Sequence, residues 1–281
     1  MRKNNISKKT IINEISNLCF EANTKLPKDI LRAIKSVAEN EKGIARDILS
    51  DIVKNADIAG RKKIPLCQDT GTGNFFVKLG KKAGICGSDL REIIEIAAAK
   101  SYTENYLRKS IVSDPLTRKN TGDNSPSNIH IEYVEGDKIE ISFLPKGGGS
   151  ENASSLKMLN PADGWEGVKK FAIENVKEKG ANACPPLIIG LGIGGDFSTV
   201  GLLAKKSLLR TINSKNKNPF YAEKEAELLS EINKLNIGPM GFGGKTTALA
   251  VFIETKPCHI ASLPAAISIQ CHSCRRTKIV L

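Results

Sequence analysis

The stretch "LIIGLGIGG", residues 187–195, decides the fold class. Five consecutive positions from Leu187 to Leu191 are apolar or glycine, with no polar residue to mark a solvent face. A run of this length, ending in glycines, reads as a strand buried on both sides that opens into a loop. A strand of that kind needs helices to cover it, and helices follow. "TVGLLAKKSLLRTI" (199–212) and "AEKEAELLSEINKL" (222–235) carry helical spacing, and upstream Trp165, Val168, Phe171 or Ala172, and Val176 repeat at the same period. Further strands are expected in "TTALAVFIET" (246–255) and "AAISIQC" (265–271). The fold class is therefore α/β with a mixed sheet and glycine-rich loops at the strand ends.

Towards the N-terminus the period is helical throughout residues 10–59. Ile11, Ile15, Leu18 and Ala22 share one face, then Leu31, Ile34 and Val37, then Ile44, Ile48 and Ile52, with breaks at Pro27 and "NEKG" (40–43). Residues 91–107 add another helix. "IHIEYV" (129–134) and "KIEISFLP" (138–145) alternate around "EGD", the pattern of a hairpin. No repeat, low-complexity segment or flexible linker divides the chain. One domain over 1–281 is expected, with 1–60 mainly helical and 61–281 forming the α/β part.

Composition narrows the function classes. The chain has 281 residues, 26% of them charged and 40% hydrophobic, ordinary for a globular protein. No apolar run has the roughly 18–20 residues of a membrane span. The basic start "MRKNNISKKTIINEI" lacks the apolar core of a secretory signal, so a cytoplasmic location is expected. The net charge of +12 comes mostly from scattered lysines, and only 5% of residues are aromatic. Nucleic-acid binding is not expected from that pattern, which suits a solvated surface that attracts acidic metabolites.

Seven cysteines, at 19, 67, 86, 184, 258, 271 and 274, argue against a disulfide framework in a reducing compartment; each is either a small core residue or a candidate for metal ligation or catalysis. One of them lies in "IPLCQDTGTGNFF" (64–76), where a thiol, an amide and a carboxylate stand side by side between two apolar segments. A plain turn has no need of the cysteine. Near the C-terminus, Cys271-x-x-Cys274 with Cys258 and a histidine could form a zinc site. The alternative is that one cysteine from this region joins two distant ones.

Three glycine-rich elements carry nucleotide-like patterns that fail on spacing. "GLGIGG" fits G-x-G-x-x-G, but the region near position 215 reads "INSKNKN" and offers no acid for a ribose hydroxyl. In "GPMGFGGKT" the glycine needed five positions before Gly244 is Pro239. "GGG" at 147–149 has no nucleotide motif around it. What the three share is backbone that admits close approach and exposes N–H groups, a surface suited to carboxylates.

"IPLCQDTGTG", "LRKSIV", "NTGDNSPSNIHIEY", "LPKGGGSENAS", "CPPLIIGLGIGGDF", "GPMGFGGKTTALAV", "CHIASLPAAISIQC" and "RR", taken in order, resemble the α subunit of the iron–sulfur hydro-lyases. These are the class I fumarate hydratases and L-tartrate dehydratases, and the resemblance runs from about residue 30 to 277. It implies a [4Fe–4S] cluster held by Cys67, Cys184 and Cys271, with one iron left open as a Lewis acid. Cys274 is near enough to stand in for Cys271. The resemblance also implies that Gln68, Asp69, Arg108 and Gly148 bind substrate, with Asp69 a candidate in proton transfer and His259 an active-site histidine that orients Asp69. His259 is otherwise read as a satisfied buried histidine, and His130 as structural. The implied reaction is reversible hydration of a small dicarboxylate. Fumarate to L-malate, a step of the tricarboxylic acid cycle, comes first and dehydration of L-tartrate second. Because the chain ends soon after the arginine pair, a separate β subunit and an α2β2 assembly are expected. A zinc-stabilised binding module and an iron–sulfur oxidoreductase are the readings from other classes.

Overall fold

The computed structural model describes residues 7–84 and 89–281, so Cys86 lies outside the described residues. The protein is mixed α/β, as its sequence predicts. It divides into two compact units, each discontinuous in sequence: residues 1–27, 56–148 and 275–281 form the first, and 28–55 with 149–274 the second. The helical N-terminal part expected over 1–60 is thus divided between the two.

The first unit is built on a four-stranded sheet of order β2 (Asn128–Val134), β1 (Thr72–Gly80), β3 (Ile139–Lys146) and β8 (Thr277–Val280). Helices α1 (Lys8–Thr24) and α4 (Leu90–Glu104) supply the apolar face that covers it. Ile11, Ile15, Leu18 and Ala22 of α1 recur at helical spacing and are at most 3% exposed. They share a core with Ile93, Ile94 and Ala97 of α4 and with Phe75, Val77, Ile141 and Phe143 of the sheet. Phe75 and Phe143 lie opposite one another in register, their ring centroids 4.8 Å apart.

The two alternating segments around "EGD" do form strands, but not a hairpin. β1 stands between them, parallel to β2 and antiparallel to β3. The reason is visible in β1 itself. Its Asn74-Phe75-Phe76-Val77 segment is buried throughout, so its backbone N–H and C=O groups need ladder partners on both edges. The β2–β3 connection then wraps the end of β1, with Gly80 N–H donating to Lys138 O and Lys81 N–H to Val134 O. His130, on β2, stacks against Phe76 at a centroid distance of 5.3 Å.

The second unit holds the sheet β4 (Ser155–Leu159), β7 (Leu263–Gln270), β5 (Leu187–Gly194) and β6 (Ala248–Lys256). The opening stretch is β5, paired on one edge with β6 (parallel) and on the other with β7 (antiparallel). Its odd-numbered residues Leu187, Ile189 and Leu191 meet Ala172 and Val176 of α6 (Gly164–Lys179), and Leu228 and Ile232 of α8 (Pro219–Asn233). Its opposite face carries Gly190 and Gly192, and α7 (Val200–Ser207) lies there. A Cβ at Gly190 would stand 2.2 Å from Ala204 O, and one at Gly192 2.2 Å from Val200 O. These glycines let a helix rest directly on strand backbone; that accounts for "GLGIGG" without a nucleotide. The unit also contains α2 (Lys28–Asn40), the start of α3 (Gly43–Lys62) and all but the first residue of α5 (Gly148–Asn152).

The glycine at 190 yields a stability prediction. Gly190→Ala forces a methyl group into helix backbone that cannot step aside, and should destabilise the chain by about 3 kcal/mol. A lowered urea midpoint at unchanged m-value is the expected result. An unchanged midpoint would show that α7 does not sit on β5 as described.

Candidate active site

In the first unit, the turn 66–72 leads from α3 into β1 and is tied down at Leu66 and again from Asp69 to Gly71. Leu66 N–H donates to Asn23 O at 2.8 Å. Asp69 O accepts from Arg275 Nη2 at 2.9 Å. The Tyr102 hydroxyl lies 2.9 Å from both Thr70 O and Gly71 O, and Asn124 Nδ2 donates to Gly71 O at 3.1 Å. Burial pushes the Tyr102 phenol well above its ordinary range, which keeps the hydroxyl protonated as a donor. At the apex, Gly71 has φ +76°, and a Cβ there would stand 2.7 Å from the Lys146 carbonyl carbon. Only glycine satisfies both conditions.

This framework presents Cys67, Gln68 and Asp69. Gln68 is exposed, and Cys67 and Asp69 are half-buried. The Cys67 thiol lies 3.5 Å from Gln68 Oε1. Asp69 is held at both carboxylate oxygens: Oδ1 accepts from Gly71 N–H at 3.0 Å and Oδ2 from Gly148 N–H at 2.7 Å. Arg108 is exposed, and its carbonyl accepts the Thr70 hydroxyl at 3.1 Å. The structure thus joins Cys67, Gln68, Asp69 and Gly148 directly, and joins Arg108 to them through the main chain of the turn.

In the second unit, Cys184 and Cys271 come together at one end of the sheet. Ile188 pairs with Gln270, so the residues before β5 and those after β7 emerge side by side. His272 fastens them: its N–H lies 3.2 Å and its Nδ1 3.0 Å from Cys184 O. Cys184 adopts a left-handed conformation, φ 53° and ψ 67°, which costs a β-carbon-bearing residue about 1 kcal/mol or more. Residues of the glycine stretch flank the pair, with Ser150 Oγ donating to Gln270 Oε1 at 3.0 Å.

The cysteines differ in access. Cys184 and Cys271 are half-buried, whereas Cys19 and Cys274 are fully buried. Burial pushes the Cys19 thiol far up, which keeps it a protonated core residue. Cys258 is exposed in the β6–β7 loop, before β7, whereas Cys271 follows it. The intervening strand of eight residues spans about 26 Å. A zinc site joining Cys258 to Cys271 and Cys274 is therefore ruled out by distance. His259 occupies the same loop as Cys258, at the end of the sheet away from Cys184 and Cys271. It is exposed rather than buried, and its Nδ1 accepts Ala261 N–H at 3.1 Å. Among the described residues, neither unit by itself gathers three His, Cys, Asp or Glu side chains around one metal position. The donor chemistry nonetheless suits an iron–sulfur centre, because Cys67, Cys184 and Cys271 are partly accessible thiols on ordered backbone.

In two of the three glycine elements a main-chain N–H is held by one of the protein's own carboxylates. Gly148 N–H holds Asp69. In the "GGKT" loop, Thr246 N–H donates at 2.7 Å to Oε1 of the buried Glu41. Sequence reading missed Glu41, Tyr102, Asn23, Asn124 and Arg275. Of these Arg275 carried a signal as one of an arginine pair, and Asn124 as part of "NTGDNSPSNIHIEY".

The family described as fumarate hydratase (Fumerase) matches residues 12–280. A Methanocaldococcus jannaschii protein provisionally named L(+)-tartrate dehydratase subunit alpha is 44% identical, over 93% of this chain and 94% of its own length. L(+)-tartrate dehydratase subunit alpha of Escherichia coli is 33% identical in strain UTI89, over 93% of this chain and 88% of its own. The strain K12 protein of that name is 32% identical over 95% and 89%. With a two-unit α/β fold, a clamped Cys-Gln-Asp turn and these matches along nearly its whole length, the chain belongs to the fumarate hydratase (Fumerase) family and is a hydro-lyase.

Proposed function

We propose that the chain is the α subunit of a two-subunit enzyme that adds or removes water across a carbon–carbon bond flanked by two carboxylates. The observation that carries this reading is the Asp69 carboxylate, fixed at both oxygens and two residues from an accessible thiol. Fumarate hydration is supported by the family's description. Dehydration of L-tartrate is favoured by the names of the relatives, which are 32–44% identical. Those names also read "subunit alpha", which supports a β subunit and an α2β2-type assembly.

Cys67, Cys184 and Cys271 would hold a [4Fe–4S] cluster, which with three thiolates supplies one open iron as a Lewis acid for a hydroxyl and a carboxylate. The chain's own groups do the remaining work. The Gln68 amide is exposed beside Cys67 and orients the substrate hydroxyl by donating or accepting a hydrogen bond. Arg108 offers its planar fork to a substrate carboxylate. Gly148 N–H gives a second donor once Asp69 exchanges its hydrogen bond for the substrate. Asp69 holds or takes the proton on the carbon next to a carboxylate. That proton is weakly acidic, so the donors aimed at the carboxylate matter as much as the base. The net charge of +12 favours the approach of a dianion. β7 separates His259 from Cys271 in its own chain, so the proton-handling role proposed for it requires the His259 of a second copy in the assembly; His259→Asn with a lowered kcat at unchanged iron content would support that role.

The test is anaerobic reconstitution of this chain with its β partner, assayed on fumarate and L-tartrate. Asp69→Asn should lower kcat by about a thousandfold with iron content intact. Cys67→Ser, Cys184→Ser and Cys271→Ser should each lose iron and activity together, while Cys258→Ser and Cys274→Ser keep both. Turnover of neither substrate by the parent, or full activity in Asp69→Asn, would refute the reading.

A second prediction concerns oxygen. An iron lacking a protein ligand is exposed to oxidants, so air should abolish turnover, and ferrous iron with thiol should restore it. Undiminished activity in air at constant iron content would contradict an open iron.

A further inference from the structure

Beneath the Cys67–Asp69 turn lies a cation that the proposed chemistry does not use. Arg275 enters β8 and is 2% exposed. Its Nη2 donates to Asp69 O and its Nη1 to Asn23 Oδ1, each at 2.9 Å. Both acceptors are uncharged, and among the described residues its Nε has no acceptor. Burying a guanidinium against neutral carbonyls is costly, and only the hydrogen bonds it makes offset that cost. A charged donor does make the stronger bond.

What it fixes can be read from peptide geometry. A peptide unit is planar, so holding its carbonyl also sets the direction of its N–H. Arg275 holds the carbonyl of the Asp69–Thr70 peptide. Tyr102, 1% exposed, holds the carbonyl of the next peptide, Thr70–Gly71. The N–H on the far edge of that second peptide, Gly71 N–H, is the donor to Asp69 Oδ1. Asn23 links the two ends: its side chain accepts from Arg275, and its carbonyl accepts Leu66 N–H, one residue before Cys67. Two buried side chains, one from the segment before β8 and one from α4, therefore act with Gly148 N–H to set where the Asp69 carboxylate points, without touching it.

We propose that Arg275, seconded by Tyr102, is a positioning residue that presets the Asp69 carboxylate through the main chain of the turn. The proposal deepens the functional reading above and rests on Asp69 facing substrate. Arg275→Lys keeps the charge but reaches only one of the two acceptors. Tyr102→Phe keeps the ring and removes the donor.

Hydrogen exchange on the full chain alone reads the hold on the turn. Amides 66–72 should exchange about tenfold faster in either variant while β5 and β7 stay unchanged, since local opening is independent of global unfolding. In the anaerobic two-subunit enzyme, kcat should fall about thirtyfold at unchanged iron content and with KM within about threefold, the signature of a misplaced group rather than lost binding. Parent-like exchange and kcat in both variants would overturn the proposal. So would a loss of activity that merely follows lost iron or exchange raised throughout the chain. Should Arg275→Lys not fold, Tyr102→Phe decides by the same criteria. A parent enzyme inactive on both dicarboxylates would reject the functional reading, while the exchange data would still decide whether Arg275 and Tyr102 hold the turn.

Discussion

Three consecutive carbonyls, those of Asp69, Thr70 and Gly71, are each met by a buried side chain. The site in the first unit depends on this. A polar turn between two apolar segments draws main-chain groups out of water, and each one left unsatisfied costs about 1–3 kcal/mol. Arg275, Tyr102 and Asn124 remove that cost and in doing so leave the turn with one conformation. Gly71 closes it, because the Lys146 backbone leaves no room for a side chain. The result is that Cys67, Gln68 and Asp69 stand on rigid backbone, as groups that must act in concert require.

The second unit reaches comparable rigidity by a different route. β5 is paired on both edges and buried on both faces, and its glycines bring α7 onto the strand itself. Cys184 and Cys271 then inherit their nearness from sheet register, and His272 locks it with two contacts to one carbonyl. The left-handed backbone of Cys184 is a strained conformation held by its surroundings, a feature that concentrates at functional positions.

Much of this was legible in the sequence, but unevenly. Helical spacing in Ile11, Ile15, Leu18 and Ala22 predicts the buried face of α1, and the apolar run at 187–191 predicts a doubly buried strand; local pattern fixes local structure. Pairing is a different matter. The alternation in 129–134 and 138–145 is correct for strands, yet nothing in it reveals that β1, from earlier in the chain, takes the place between them. "GLGIGG" and "GGKT" show that close backbone approach is needed without showing what approaches: α7 in one case and Glu41, some 205 residues away, in the other. Cys271 and Cys274 are equivalent by spacing, and only burial separates them. Arg275 and Arg276 are alike in sequence, and it is the structure that puts Arg275 under the Asp69 turn.

In the proposed enzyme three of this chain's thiols hold a cluster with one iron left for substrate. Mössbauer spectroscopy of the chain reconstituted anaerobically with ⁵⁷Fe and joined to its β partner tests it most directly. The account predicts four irons per chain, one of which changes its spectrum on addition of L-tartrate or L-malate while the other three do not. Four irons that all remain unchanged with substrate would contradict it, and so would a chain that takes up no iron.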